Sequence, residues 1–164
     1  MSIVVADYVS VANRAAELGC VLSSGITILP ENFEQVDNSS QLLHRSEAAT
    51  VKSLFRQNQI PLATLMPSSG QPGYVQNNGF EWVGPTLFIS AGLLSDNANA
   101  ASIAINVLSN YLTDFFKGLS GSQRVKLEIV VEKKSDGVCK RISFDGPPKA
   151  LSSIPSVIES INHE

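Results

Sequence analysis

One stretch, residues 85–131, constrains this chain more than any other, because it reads as strand, long uncharged helix, strand. Thr86-Leu-Phe-Ile-Ser90 is a short apolar run with β-branched and aromatic residues, preceded by Gly84-Pro85 and followed by Gly92, as suits a buried strand. A helix is predicted to begin near Ser95-Asp96, where either side chain can accept from free first-turn N–H groups. It should end at Lys117-Gly118, a cation followed by a residue that tolerates positive φ. Between these ends Ala101, Ile105, Leu108, Leu112 and Phe115 recur at three- and four-residue steps. Ala100, Ala104, Val107 and Tyr111 form a second apolar row beside them.

The remaining stripe of this helix is Ser102, Asn106, Ser109, Asn110 and Thr113, with no charge between Asp96 and Asp114. A surface helix normally carries charges on its wet side, so this one is expected to be covered on more than one side. The cover is either a second copy of the chain or a terminal helix of the same chain. Self-association would place Ser102, Asn106, Ser109 and Asn110 at the interface. A membrane span is not expected, because Asn97, Asn99, Asn106 and Asn110 interrupt the segment.

The chain has 164 residues, 43% of them hydrophobic, enough for one sizeable core, so a single domain over 1–164 is expected. Residues 1–100 carry 4 basic and 8 acidic side chains and residues 101–164 carry 8 and 7, so neither half has the positive excess that a nucleic-acid partner requires. The amino end lacks a basic n-region and holds Asp7 where an apolar signal core would lie, which points to the cytoplasm. Cys20 and Cys139 have no CxxC or Cys/His spacing around them, so no disulfide framework, metal or cofactor is expected.

Along the chain, Val4, Tyr8, Val11, Ala15, Leu18 and Leu22 follow a helical alternation and predict an amphipathic helix over Ile3–Leu18, ended by Gly19. A strand at Ile26–Leu29 stops at Pro30. Glu31, Glu34 and Asp37 would share a ridge if this stretch were helical, but no His or Cys accompanies them to complete a metal shell. A helix over Ser40–Gln57 would turn Leu43, Val51, Leu54 and Phe55 inward and leave His44 on its polar, solvated face.

Ile60–Leu65 reads as a strand and 66–73 as a loop. Asn78-Gly79 then suits a type I′ turn, which predicts a hairpin pairing Tyr74 with Val83 and Val75 with Trp82. Trp82, Phe80 and Tyr74 would serve core or interface packing, and Trp82 and Tyr74 join the expected interface set. Val125–Glu132 alternates cleanly as a strand and returns as Val138–Phe144. A two-residue turn at Asp136-Gly137 would set Ile129 opposite Phe144, Val131 opposite Ile142 and Glu132 opposite Arg141. The cations Lys133, Lys134, Lys140 and Arg141 gather near that tip. A short helix, Ile154–Ile161, closes the chain.

This order predicts the α/β class, with mixed α+β as the alternative: one sandwich with a mixed sheet, a central β-α-β crossover and two hairpins. Nucleophile elbows, P-loops and dinucleotide fingerprints are absent from the sequence. The expected function is a non-catalytic protein-protein interaction or assembly module that self-associates or joins a larger assembly. One alternative is a small hydrolase-type enzyme working through His44 and the carboxylates of Glu31–Asp37. The other is a small-molecule sensor with 66–73 as its flap.

Overall fold

A computed structural model describes residues 1–23, 25–66, 73–76, 81–118 and 123–163. Its frame is a mixed sheet of seven strands: β1 (Ser2–Tyr8), β2 (Ile26–Leu29), β4 (Leu62–Thr64), β6 (Trp82–Val83), β7 (Thr86–Ile89), β8 (Val125–Glu132) and β9 (Cys139–Gly146). The order across it is β1-β9-β8-β7-β2-β4, with β6 in line with β7 and also paired to β8. Two further strands, β3 (Leu43–Arg45) and β5 (Gly73–Val75), form a separate parallel pair. The helices are α1 (Val11–Glu17), α2 (Glu47–Gln57), α3 (Ala91–Asp96), α4 (Ala100–Phe115) and α5 (Ile154–Asn162), with 3-10 turns at Ser39–Gln41 and Pro148–Ser153. The fold is mixed α/β, as expected from the order of elements, and β7 and β8 are adjacent and parallel on either side of the α3–α4 crossover.

The sheet has two unlike faces. Alternate residues of the central strands (Ile26 and Ile28, Leu87 and Ile89, Ile129 and Val131) pack into one large core with α2, α4, α5 and the 148–153 turn. Their neighbours Leu29, Phe88 and Val130 join a smaller core on the opposite face with α1, Phe33, Val36, Leu42 and Leu65. This is the period-2 alternation of a strand buried from both sides. Arg14 of α1 holds the second face together by donating through Nε to the Phe33 carbonyl at 2.9 Å and through Nη2 to the Val36 carbonyl.

Several expectations are corrected. Residues 2–8 are strand, not the first half of a helix: Ile3-Val4-Val5 is a β-branched run, and β1 forms a seven-residue antiparallel ladder with β9 from Ser2 opposite Asp145 to Tyr8 opposite Cys139. Only residues 11–17 are helical, capped by Ser10, whose hydroxyl accepts from the Asn13 N–H. Residues 43–45 are likewise strand, so the second helix begins at Glu47 rather than Ser40.

The central helix is two helices. The first starts at Ser90, whose side chain accepts from the Leu93 N–H, and Ser95-Asp96 closes it instead of opening it. Asn97 makes the break by accepting from the Asn99 N–H with its own side chain, a local bond that competes with the helical ladder. The far end is as expected, with Gly118 at φ +83°. Phe116, 3% exposed, takes the buried place expected for Phe115, which is 47% exposed.

The Tyr74–Val83 hairpin does not form. Tyr74 lies opposite His44, while Trp82 lies opposite Val125 in the main sheet; Asn78-Gly79 itself lies outside the described residues. The β8–β9 hairpin does form, two residues out of the expected register: Ile129 faces Ile142, Val131 faces Lys140 and Glu132 faces Cys139. The turn is longer than two residues, closed by Lys133 N–H to the Val138 carbonyl at 2.9 Å and Gly137 N–H to the Lys133 carbonyl at 3.0 Å. A shift of two leaves every side chain on its expected face, so the hydrophobic pattern could not expose the error.

Candidate interaction site

The second face of the sheet is only partly covered, and β8 records where its cover stops. Val130 is buried under α1 and the 33–42 segment, whereas Glu128 and Lys126, two and four residues earlier on the same face, are open to solvent. On β9, Cys139 is buried but Arg141, Ser143 and Asp145 are not. With Ser2, Val4 and Tyr8 of β1 these residues line a groove of about 640 Å³, bounded on its other side by Glu31, Glu34 and Arg45.

The groove is rich in charge, and most of that charge is paired. Arg141 reaches Glu34 at 3.4 Å and stands 5.8 Å from the centre of the Tyr8 ring, while Arg45 pairs with Glu31. Lys126 and Arg124 contact Glu81 at 3.4 and 3.7 Å, and Arg124 forks onto Asp145 at 2.7 and 2.6 Å. That fork holds the Asp145 carboxyl below the usual carboxylate range. Burial, with Glu34 and Glu128 alongside, pushes the Tyr8 phenol far above its ordinary value, so it is a neutral hydrogen-bonding group at physiological pH.

Beside the groove runs β1, the edge of the sheet. All seven of its residues pair with β9 on one side, and among the described residues no backbone or side chain hydrogen-bonds to the other. Val4 and Val5 are 57% and 44% exposed, and the strand carries one charge, Asp7, hydrogen-bonded to Lys140. The opposite edge, β4, is only three residues long. Edges are normally blunted by brevity, proline, bulges or charged side chains; β1 is seven residues long with no proline or lysine, and Asp7 is its one charge.

The expected site residues are scattered. Asn106 and Asn110 are exposed on α4, but Ser102 and Ser109 are half-buried, and Ser109 donates to the Pro148 carbonyl at 3.0 Å. The chain's own 148–153 turn and α5 therefore cover part of the neutral stripe, leaving Asn106 and Asn110 exposed beside Ile103. Tyr74 is exposed on the β3–β5 pair. Trp82 is 7% exposed, its ring folded over Gly84 so closely that a Cβ at 84 would meet it at 2.5 Å. Glycine is required there by that approach. The register slips by one residue between β6 and β7, since the β8 partner of residue 82 is 125 (a difference of 43) and that of residue 87 is 129 (a difference of 42), which is a one-residue bulge.

His44 is a further correction. It is 1% exposed rather than solvated, with Nε2 2.8 Å from the Leu65 carbonyl and no partner at Nδ1 among the described residues. A ring nitrogen facing a carbonyl must carry the proton, so Nδ1 is the bare nitrogen. Burial, reinforced by nearby Lys52, lowers its pKa against the raising effect of the Leu65 bond. Arg45, next along the strand, turns the other way to Glu31, so His44 and the 31–37 carboxylates do not converge. Those carboxylates lie in turns, with Glu31 and Glu34 each occupied by an arginine. Burial raises the pKa of both thiols, Cys20 and Cys139. The cations expected to gather at the hairpin tip separate: Lys133 approaches Asp136 at 4.0 Å, Lys140 bonds Asp7 and Arg141 turns to Glu34. The 66–73 flap falls almost wholly outside the described residues.

The sequence signal for the groove is the polar half of the β8 alternation, Lys126 and Glu128, matched across the ladder by Asp145 and Ser143. The edge had no such signal, since nothing local marks β1 as the outermost strand. Among the described residues no helix is long and apolar enough to cross a membrane. No protein-family model, curated protein or solved structure matches the chain.

Proposed function

We propose that this protein is a non-catalytic interaction module that takes up a protein partner in extended conformation as an added strand along β1. The observation that carries this is the seven-residue edge strand, fully bonded on one side and open on the other, with Val4 and Val5 exposed. Strand addition draws affinity from main-chain hydrogen bonds and specificity from alternate side chains, and half of those on an added strand would border the polar groove. The pairing of the groove cations with carboxylates favours a protein over a nucleic acid, whose phosphates call for uncompensated positive charge. A cytoplasmic setting belongs to the same proposal.

Affinity capture from the source cell tests it, run side by side with the intact protein and with Val4→Lys, which puts a charge on the open strand. Partners held by strand addition are expected to be lost from the variant. The same partners captured equally by both would overturn the proposal.

A further inference from the structure

We infer that the strand added to β1 is β1 of a second copy, antiparallel, about a two-fold axis at Val5. This rests on the strand-addition reading and names its partner. The strand runs from Ser2 to Tyr8, so full-length antiparallel self-pairing centres on residue 5 and sets Ser2 opposite Tyr8, Ile3 opposite Asp7, Val4 opposite Ala6 and Val5 opposite itself. Directly opposed residues share a face. Val4 and Ala6 therefore meet on the groove side, and the two Val5 side chains meet on the helix side.

Charge selects the same arrangement. Asp7 is the only ionised side chain of the strand and is held by Lys140 of its own chain. Antiparallel pairing puts the two Asp7 residues at opposite ends of the seam, whereas a parallel seat would place them side by side, where like charges destabilise. The contact is isologous, so it closes at two copies instead of propagating. It also joins the two sheets edge to edge and brings the grooves together through their Ser2, Val4 and Tyr8 walls. A seven-residue seam is about 24 Å long at roughly 3.4 Å per residue. A single pair of strands meeting along such a seam buries less than the roughly 1,600 Å² of a standard interface, so weak association, with dissociation in the micromolar range, is expected.

Two measurements on the full chain test the inference. Light scattering from roughly one to several hundred micromolar should show monomer passing to dimer, and Val4→Lys should raise the dissociation constant at least about tenfold while its melting temperature matches that of the unsubstituted chain at the lowest concentration, where both are monomers. Val5→Cys under mild oxidation should form a disulfide-linked dimer, while Ser2→Cys, whose counterpart lies across from Tyr8, should not. The native thiols Cys20 and Cys139 are buried and do not compete. A protein that stays monomeric throughout, while Val4→Lys still loses a captured partner, overturns the second-copy inference and leaves strand addition standing. A dimer indifferent to Val4→Lys and without a Val5→Cys cross-link overturns the inference, and unchanged partner capture by Val4→Lys overturns strand addition with it.

Discussion

The two faces of the main sheet are built from the same strands, residue by alternate residue, yet they do opposite work. On the helix side Ile129, Val131, Ile142 and Phe144 are sealed under α4, α5 and the 148–153 turn. On the other side the cover ends at Val130 and Cys139, and the strands continue past it into Lys126, Glu128, Arg141 and Ser143. The first face holds the fold together and leaves little surface to recognise anything. The second gives up stabilising burial near β1 and keeps polar groups accessible there. The candidate interaction site lies where cover is missing.

Breaking the sealed face should cost the most. Leu108→Ala removes a fully buried side chain of α4 from the large core, and a loss of about 2–5 kcal/mol is expected in urea denaturation. Ser143→Ala on the open face should stay within about 0.5 kcal/mol. Equal losses at the two positions would show that the groove face is sealed too.

Gly84→Ala sharpens the comparison at the junction of β6 and β7. Its Cβ would enter the Trp82 ring at 2.5 Å and crowd Leu127 at 2.9 Å, so a loss of about 1–3 kcal/mol is expected, with a change in tryptophan fluorescence. Wild-type stability in this variant would mean that the ring packs elsewhere.

His44 supplies a pH test. Its folded-state pKa lies below the ordinary value of 6.5, so the native state binds fewer protons than the unfolded chain. Its stabilising contribution is present above pH 6.5 and is lost as pH falls toward the folded pKa, because a second proton on buried Nδ1 has no acceptor among the described residues. Melting temperature should fall on acidification below that point, and His44→Gln should flatten the fall. An unchanged slope would place the acid sensitivity in another group.

The smallest effect belongs to the groove. Glu34→Gln removes the carboxylate beside Arg141, and because both groups are partly solvated the loss should not exceed about 1 kcal/mol. The Tyr8 phenol should then titrate at lower pH, measurable by ultraviolet absorbance, because one of the neighbouring negative charges has gone.

The local pattern of this chain determined which segments are apolar, the class of the fold, the strand at Ile26–Leu29, the β7–α–β8 crossover and the inward face of the β8–β9 hairpin. These follow from alternation and from end signals such as Gly118, which act within a few residues. Only tertiary structure decided that Ile3–Tyr8 is strand rather than helix, because its three-four spacing fits a helix until β9 offers a full ladder on one side. Tertiary structure likewise sent Tyr74 to β3 and Trp82 to β8 despite an Asn-Gly pair suited to joining them, and buried His44 under the Leu65 carbonyl. It also decided the site. A sheet edge, and the point at which one face loses its cover, are properties of neighbours distant along the chain, and no periodicity within a strand encodes which strand will be last.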